Sequence, residues 1–221
     1  MKKPIAYFHI DTESTTLDRT TGHLRSIGWI ITDGGLNELG RGEVEVLVDP
    51  FLWDPSTLKW AKETYSEETI LAWELTGAID WPSIATELML QFLPVVQEWK
   101  IEKGYEVWTI TNHPEFDMAM LEACCKLAGL KDKWPFKYNH NLDWQSLYIA
   151  YVAGYDCGAA DNRPGRSRHT EEIEEGKSIL SWADPVKGKE NVVHTALADV
   201  ERQLGLLRNV GVRLPTHTSN E

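Results

Sequence analysis

Five residues of this 221-residue chain combine types and spacings that could do chemistry: Asp11, Glu13, Asp117, His194 and Asp199. Asp11 and Glu13 follow the short apolar run Ile5-Ala6-Tyr7-Phe8-His9-Ile10, which reads as a buried strand ending at Asp11. A period of two puts both carboxylates on one face, about 7 Å apart at about 3.3 Å per residue. Carboxylates placed so repel each other unless something positive lies between them. Taken alone, an Asp-x-Glu pair more often marks a strand that stops and gives way to a solvated loop.

Asp117 falls on the inward stripe of a helix expected from Asn112 to Leu127, whose apolar positions are Met120, Leu121, Cys124 and then Ala128. A charge on the core-facing side of a first turn needs a partner, although an anion there also complements the helix dipole. The last helix, expected from Ala196 to Arg208, buries Leu197, Val200, Leu204 and Leu207 and carries Asp199 at the margin of that face. His194 and Asp199 would lie about 140° apart on a continuous helix, so they converge only if His194 precedes the helix proper. Together the four carboxylates would make an all-oxygen cage suited to Mg²⁺ or Mn²⁺ and unsuited to a thiolate-loving metal. An imidazole with an ordinary pKa of about 6.5 can accept a proton at neutral pH, the property that makes His194 a candidate base.

The elements that must position these residues can be read in order. After the first strand, Ser26–Thr32 is a second strand closed by Asp33-Gly34-Gly35, and Glu43–Val48 alternates as a half-exposed third, which suggests an antiparallel meander. The period then changes to helical: Asp54-Pro55-Ser56 opens one stretch through Trp60, and Ser66-Glu67-Glu68 caps another. Pro82 starts a longer helix through Trp99 with Pro94 inside it. Tyr105–Ile110 is a fourth strand, Asn112 a cap with Pro114 in the first turn of the next helix, and Asn139–Leu142 a short fifth strand before a helix from Trp144 to Val152. Residues 154–191, rich in Gly, Arg and Glu, read as a long loop or insertion. The expected fold is α/β, with three layers and a central mixed five-stranded sheet flanked by helices. It forms a single domain over residues 1–210 with a C-terminal tail over 211–221.

Composition bounds the partners. Hydrophobic residues make up 42% and charged residues 25%, an ordinary soluble globular profile that excludes collagen-like, disordered and disulfide-scaffold classes. With 34 Asp and Glu against 22 Lys and Arg the net charge is −12, so the whole surface cannot bind a polyanion by broad phosphate neutralisation. Local basic groups or bound cations would have to supply the attraction. The ten Trp suit deep cores and flat stacking surfaces alike. The longest apolar-leaning stretch, Ile84–Trp99, is interrupted by Glu87, Gln91, Pro94 and Gln97, whereas a membrane span needs about 20 apolar residues. Met1-Lys2-Lys3-Pro4 leads into no long apolar run of the secretory kind. Cys124, Cys125 and Cys157 build neither a disulfide framework nor a zinc spacing, which makes a reducing, cytoplasmic setting the default expectation.

Phe8-His9-Ile10-Asp11-Thr12-Glu13, Asn112-x4-Asp117 with Phe116 before the Asp, and His194-x4-Asp199 resemble the three motifs of the DEDDh 3′–5′ exonucleases. That superfamily has a ribonuclease-H-like fold and includes polymerase proofreading subunits and RNase T. Ser56-Thr57-x-x-Trp60 and Asp143-x-x-Ser146-Leu147 are similar to marks of one branch, the phage exonuclease A and mycobacterial-type exoribonuclease group.

The resemblance covers Ile5 to about Arg208. It implies hydrolysis of single-stranded DNA or RNA from a free 3′ end with release of 5′-mononucleotides. Asp11, Glu13, Asp117 and Asp199 would hold two divalent cations, Mg²⁺ or Mn²⁺, and His194 would serve as base. Two such ions about 3.5–4 Å apart can hold attacking water and leaving oxygen in an in-line displacement. Thr12, Ser14, Thr16 and Leu17 would then sit at the first motif, where family members cradle the terminal 3′-hydroxyl and wedge an apolar side chain against the last base. Trp60 could stack on a base, as an alternative to plain core packing, and Asn112 is a further substrate-binding candidate if it is not simply the helix cap. Arg163, Arg166 and Arg168 could track the backbone or lie in a solvated loop. The partners implied are single-stranded nucleic acid 3′ ends, with a homodimer allowed and no membrane. Two other readings compete. A catalytically silent nuclease-like binding module would be expected to have lost one of the five residues, and a carboxylate-pair glycosidase has no use for Asp117, His194 and Asp199 together.

Overall fold

A strongly apolar β1 seeds the sheet. The computed structural model describes residues 2–78, 80–148 and 195–217. Within them the strands are β1 (Ile5–Ser14), β2 (Leu24–Thr32), β3 (Glu38–Glu45), β4 (Glu106–Thr111) and β5 (Asn141–Asp143), in the spatial order β3-β2-β1-β4-β5. β1 to β3 form the expected antiparallel meander, and β4 and β5 add in parallel, so the sheet is mixed and five-stranded. The helices are α1 (Pro55–Thr64), α2 (Glu67–Thr76), α3 (Trp81–Gln97), α4 (Pro114–Leu127) and α5 (Ala196–Asn209), and residues 144–148 are helical as well.

The two sheet faces pack against different helices because side chains alternate along β1. Ala6, Phe8 and Ile10 join Leu88, Phe92 and Val96 of α3 and Met120, Leu121 and Cys124 of α4 in one core. Ile5 and Tyr7 join Val200, Leu204 and Leu207 of α5 in the other. Among the described residues no helix is long and apolar enough to cross a membrane.

Four local expectations are corrected. β1 does not end at Asp11: Asp11 through Glu13 keep antiparallel partners on β2, Gly28 through Ser26, so both carboxylates lie inside the strand. β3 runs Glu38–Glu45 rather than 43–48, and its pairing with β2 carries through Gly42, which leaves room for the Trp29 ring opposite; a methyl group on Gly42 would lie 2.4 Å from that ring. Asn112 is not the cap of α4. His113 takes that position, and the Asn112 side-chain oxygen accepts a hydrogen bond from Gln145 Nε2 at 2.9 Å. Finally, residues 212–217 lie against the sheet. Leu214 N donates to Gly34 O (2.7 Å), Tyr7 Oη to Pro215 O (2.8 Å), and Ile5 N to Thr216 O (3.1 Å). The 154–191 segment, with Arg163, Arg166 and Arg168, and Cys157 fall outside the described residues.

Candidate active site

Three carboxylates meet at the C-terminal half of β1. Asp11 and Glu13 project from the β1 face that carries α5, and Asp199 comes from the first turn of that helix. One oxygen from each lies within 4.8 Å of the others. The helix can sit this close because β2 has no side chain at the crossing: a methyl group on Gly28, the residue opposite Asp11, would lie 2.3 Å from the Leu197 backbone nitrogen. Thr195 caps α5 by accepting from Ala198 N at 3.2 Å, so the helix begins immediately after it. His194 therefore precedes the helix in sequence and lies outside the described residues.

Asp117 approaches from the other face of the sheet. It is 5% exposed, and its Oδ1 accepts from Thr12 Oγ1 at 2.8 Å while Oδ2 accepts from His113 N at 3.4 Å. Thr12 points to the α4 side for the same reason that Asp11 and Glu13 point to the α5 side. Gly22, at a positive φ of 71°, lets the loop before β2 pass within van der Waals range of α4, where a methyl group would lie 2.4 Å from Cys124 N. Asp117 thus neighbours Asp11 electrostatically without joining the three-carboxylate contact.

Burial and mutual repulsion act in one direction. Burial raises the Asp11 carboxyl well above the usual carboxylate range, Asp117, Asp199 and Glu13 raise it further, and a Gln203 hydrogen bond opposes them. Glu13 is pushed up to about 7 by burial, against the Arg25 charge and with help from Asp199, Glu43 and Glu45. Asp117 rises to about 6 through burial, against the Thr12 and His113 hydrogen bonds. Carboxyls held above their ordinary range by burial and mutual repulsion are groups that divalent cations would relieve, and the donors are all oxygen. The residues fit such ions.

The remaining candidates are more dispersed. Ser14 Oγ donates to Thr16 O (2.7 Å), and Thr16 Oγ1 accepts from Asp18 N (3.1 Å), which makes the post-strand segment a polar turn. It presents Leu17, 76% exposed, at its tip. Asp54 N donates to Thr15 O at 2.9 Å, so the start of α1 is tied to that turn. Trp60, on α1, is 41% exposed and meets Tyr65 edge-on. Asp143 caps residues 144–148 by accepting from Ser146 N (3.1 Å) and Ser146 Oγ (2.5 Å).

Sequence reasoning missed Gln203, whose Nε2 donates to Asp11 Oδ1 at 3.2 Å from a buried position. Its spacing of one helical turn after Asp199 was the available signal. It also missed Gly28 and Arg25, discussed below, which no local pattern marks.

No family model matches the sequence, and no curated protein matches it. Solved structures do share its fold. A product-bound exonuclease I superposes with a TM-score of 0.55 at 14% identity over 96% of this chain and 44% of that one. The zinc-bound exonuclease I–ssDNA complex of E. coli gives 0.58 at 16% identity over 94% and 40%. Exonuclease I from Methylocaldum szegediense gives 0.53 at 16% over 92% and 40%. The chain spans less than half the length of these neighbours. Its architecture is the ribonuclease-H-like α/β fold that they share.

Proposed function

We propose that this chain is a metal-dependent 3′–5′ exonuclease that hydrolyses single-stranded DNA or RNA to 5′-mononucleotides, with residues 1–210 as its catalytic domain. The observation that carries the reading is the convergence of Asp11, Glu13 and Asp199 within 4.8 Å at the end of a buried strand. The E. coli exonuclease I neighbour crystallised with zinc and with single-stranded DNA supports both a divalent metal and this substrate class. Mg²⁺ or Mn²⁺ held by Asp11, Glu13, Asp117 and Asp199 would neutralise charge on the attacking and leaving oxygens of an in-line displacement.

The protein's own groups do the rest. Thr12 fixes the Asp117 carboxylate by its 2.8 Å hydrogen bond, and Gln203 fixes Asp11. His194, entering α5, takes a proton from the attacking water, and its neutral form is the active one. Ser14 and Thr16 receive the terminal nucleotide, Leu17 wedges against its base, and Trp60 stacks on a base further along the strand. Asn112 borders the same edge. This division of labour also answers the charge problem: an acidic protein holds a phosphodiester through bound cations rather than through a basic surface.

End-labelled single-stranded DNA and RNA oligonucleotides with Mn²⁺ test the reading. Stepwise shortening is expected from a free 3′ end, resistance is expected from a 3′-phosphate, and a 5′ block should make no difference. Internal cutting of a circular single strand would remove the exonuclease assignment.

A further inference from the structure

Arg25 is a buried cation that the proposed chemistry does not use. Strand pairing passes from Glu13–Ser26 to Ser14–Leu24, which makes Arg25 the extra residue of a β-bulge beside the carboxylate edge. Bulges re-aim side chains, and this one sends a guanidinium, 4% exposed, into an aromatic box. Its carbon lies 5.2 Å from the Trp73 ring centroid, 5.5 Å from Tyr65 and 5.9 Å from Trp53. Nη1 donates to Glu45 Oε1 at 2.5 Å and Nη2 to Tyr65 Oη at 2.8 Å. The planar fork sends a separate nitrogen to each partner, Nη1 to Glu45 and Nη2 to Tyr65, while its face lies against the rings.

Tyr65 links this box to the surface. It is the residue that ends α1; its ring meets Trp73 of α2 edge-on at 5.1 Å and Trp60 of α1 edge-on at 5.8 Å. Trp60 is 41% exposed, and an indole already oriented before it binds costs a stacking contact less in ordering. We infer that Arg25 is a positioning residue for nucleic-acid binding: through Tyr65 it holds the Trp60 ring of the α1–α2 pair in fixed relation to the carboxylate edge. The inference rests on the exonuclease reading above and extends it to a residue of the adjacent strand that takes no part in the proposed chemistry.

The test is fluorescence anisotropy of a 5′-labelled single-stranded oligonucleotide in Ca²⁺, with Mn²⁺ binding to the nucleic-acid-free protein measured by calorimetry. Trp60→Ala should weaken oligonucleotide binding about five- to 150-fold, the range of one base–aromatic stack. Arg25→Met and Tyr65→Phe should each lose a large part of that factor, and neither should add to the loss when combined with Trp60→Ala. In Trp60→Ala and Tyr65→Phe, which remove no charge from beside Glu13, Mn²⁺ affinity should stay within about twofold of wild type, a readout that general loosening of the site would move. Tyr65→Phe keeps the packed ring and removes only the hydroxyl, so it decides the matter if Arg25→Met does not fold. Unchanged binding in Tyr65→Phe, or losses that add to Trp60→Ala, would overturn the inference alone. Failure of the wild-type protein to bind the oligonucleotide would instead sink the exonuclease reading, and this inference with it.

Discussion

The two ends of β1 and its parallel neighbour treat acid side chains in opposite ways. At the N-terminal end Glu106 of β4, paired with Ile5, meets Lys137 at 2.6 Å and His140 at 3.4 Å. Burial raises its carboxyl, but the Lys137 hydrogen bond and the charges of Lys137, His140 and Lys3 outweigh burial and hold it below the ordinary range. At the C-terminal end Asp11, Glu13 and Asp117 all rise, although Arg25 stands beside Glu13 and Arg202 reaches Asp199 at 3.3 Å. One end balances its charge with the protein's own cations. The other, among the described residues, holds more carboxylates than cations beside them.

The sharpest way to break this contrast is to remove a carboxylate from the crowded end. Asp11→Ala and Asp199→Ala are expected to abolish nuclease turnover while the apo protein melts at the same or a higher temperature, since each change relieves repulsion. Gel-based nuclease assays and thermal melts without metal check this together. A large loss of apo stability with turnover intact would make these residues structural.

His194 probes whether the carboxylates suffice without a base. His194→Ala should lose about 10²–10⁴-fold in the single-turnover rate, the usual worth of general-base assistance. The acid limb of the wild-type pH–rate profile should vanish in the variant, while oligonucleotide binding in Ca²⁺ stays near wild type. An acid limb unchanged in the variant would show that the water needs no help from His194.

The smallest effects compare the two ends directly. Folding favours the neutral form of Glu13, whose carboxyl lies at about 7 against an ordinary 4.5, so apo stability should fall as pH rises between those values. At about 1.4 kcal/mol per unit the loss at pH 8 is on the order of 3 kcal/mol. Glu13→Gln should remove it, and saturating Mn²⁺ should offset it in wild type. Glu106, held low, has the opposite sign: Glu106→Gln should cost less than about 1 kcal/mol, present at neutral pH and lost as pH falls through the folded value. Urea melts of both variants against pH read the two signs. Equal signs would erase the distinction between the ends.

The sequence by itself determined the order of strands and helices and the pairing of Asp11 with Glu13, though not where β1 ends or β3 begins, because side-chain period is a local property of the chain. A period of two set both carboxylates on one face of β1, and a period of 3.6 set Asp117 on the buried side of α4 and Asp199 beside the buried face of α5. Proline and capping residues marked where α1, α2 and α4 begin, with Asn112 misjudged by one position because its amide is engaged by Gln145. The tertiary structure alone decided which carboxylates meet. Asp11, Glu13 and Asp199 share one face, whereas Asp117 comes from the other and is held by Thr12. It also decided how near the helices may come, since Gly28 and Gly22 act by what they leave empty against α5 and α4. Arg25 belongs to the same class: its role depends on a bulge and on aromatic rings from two later helices. Close approach and burial are sums over residues distant in the chain, and no local spacing encodes them.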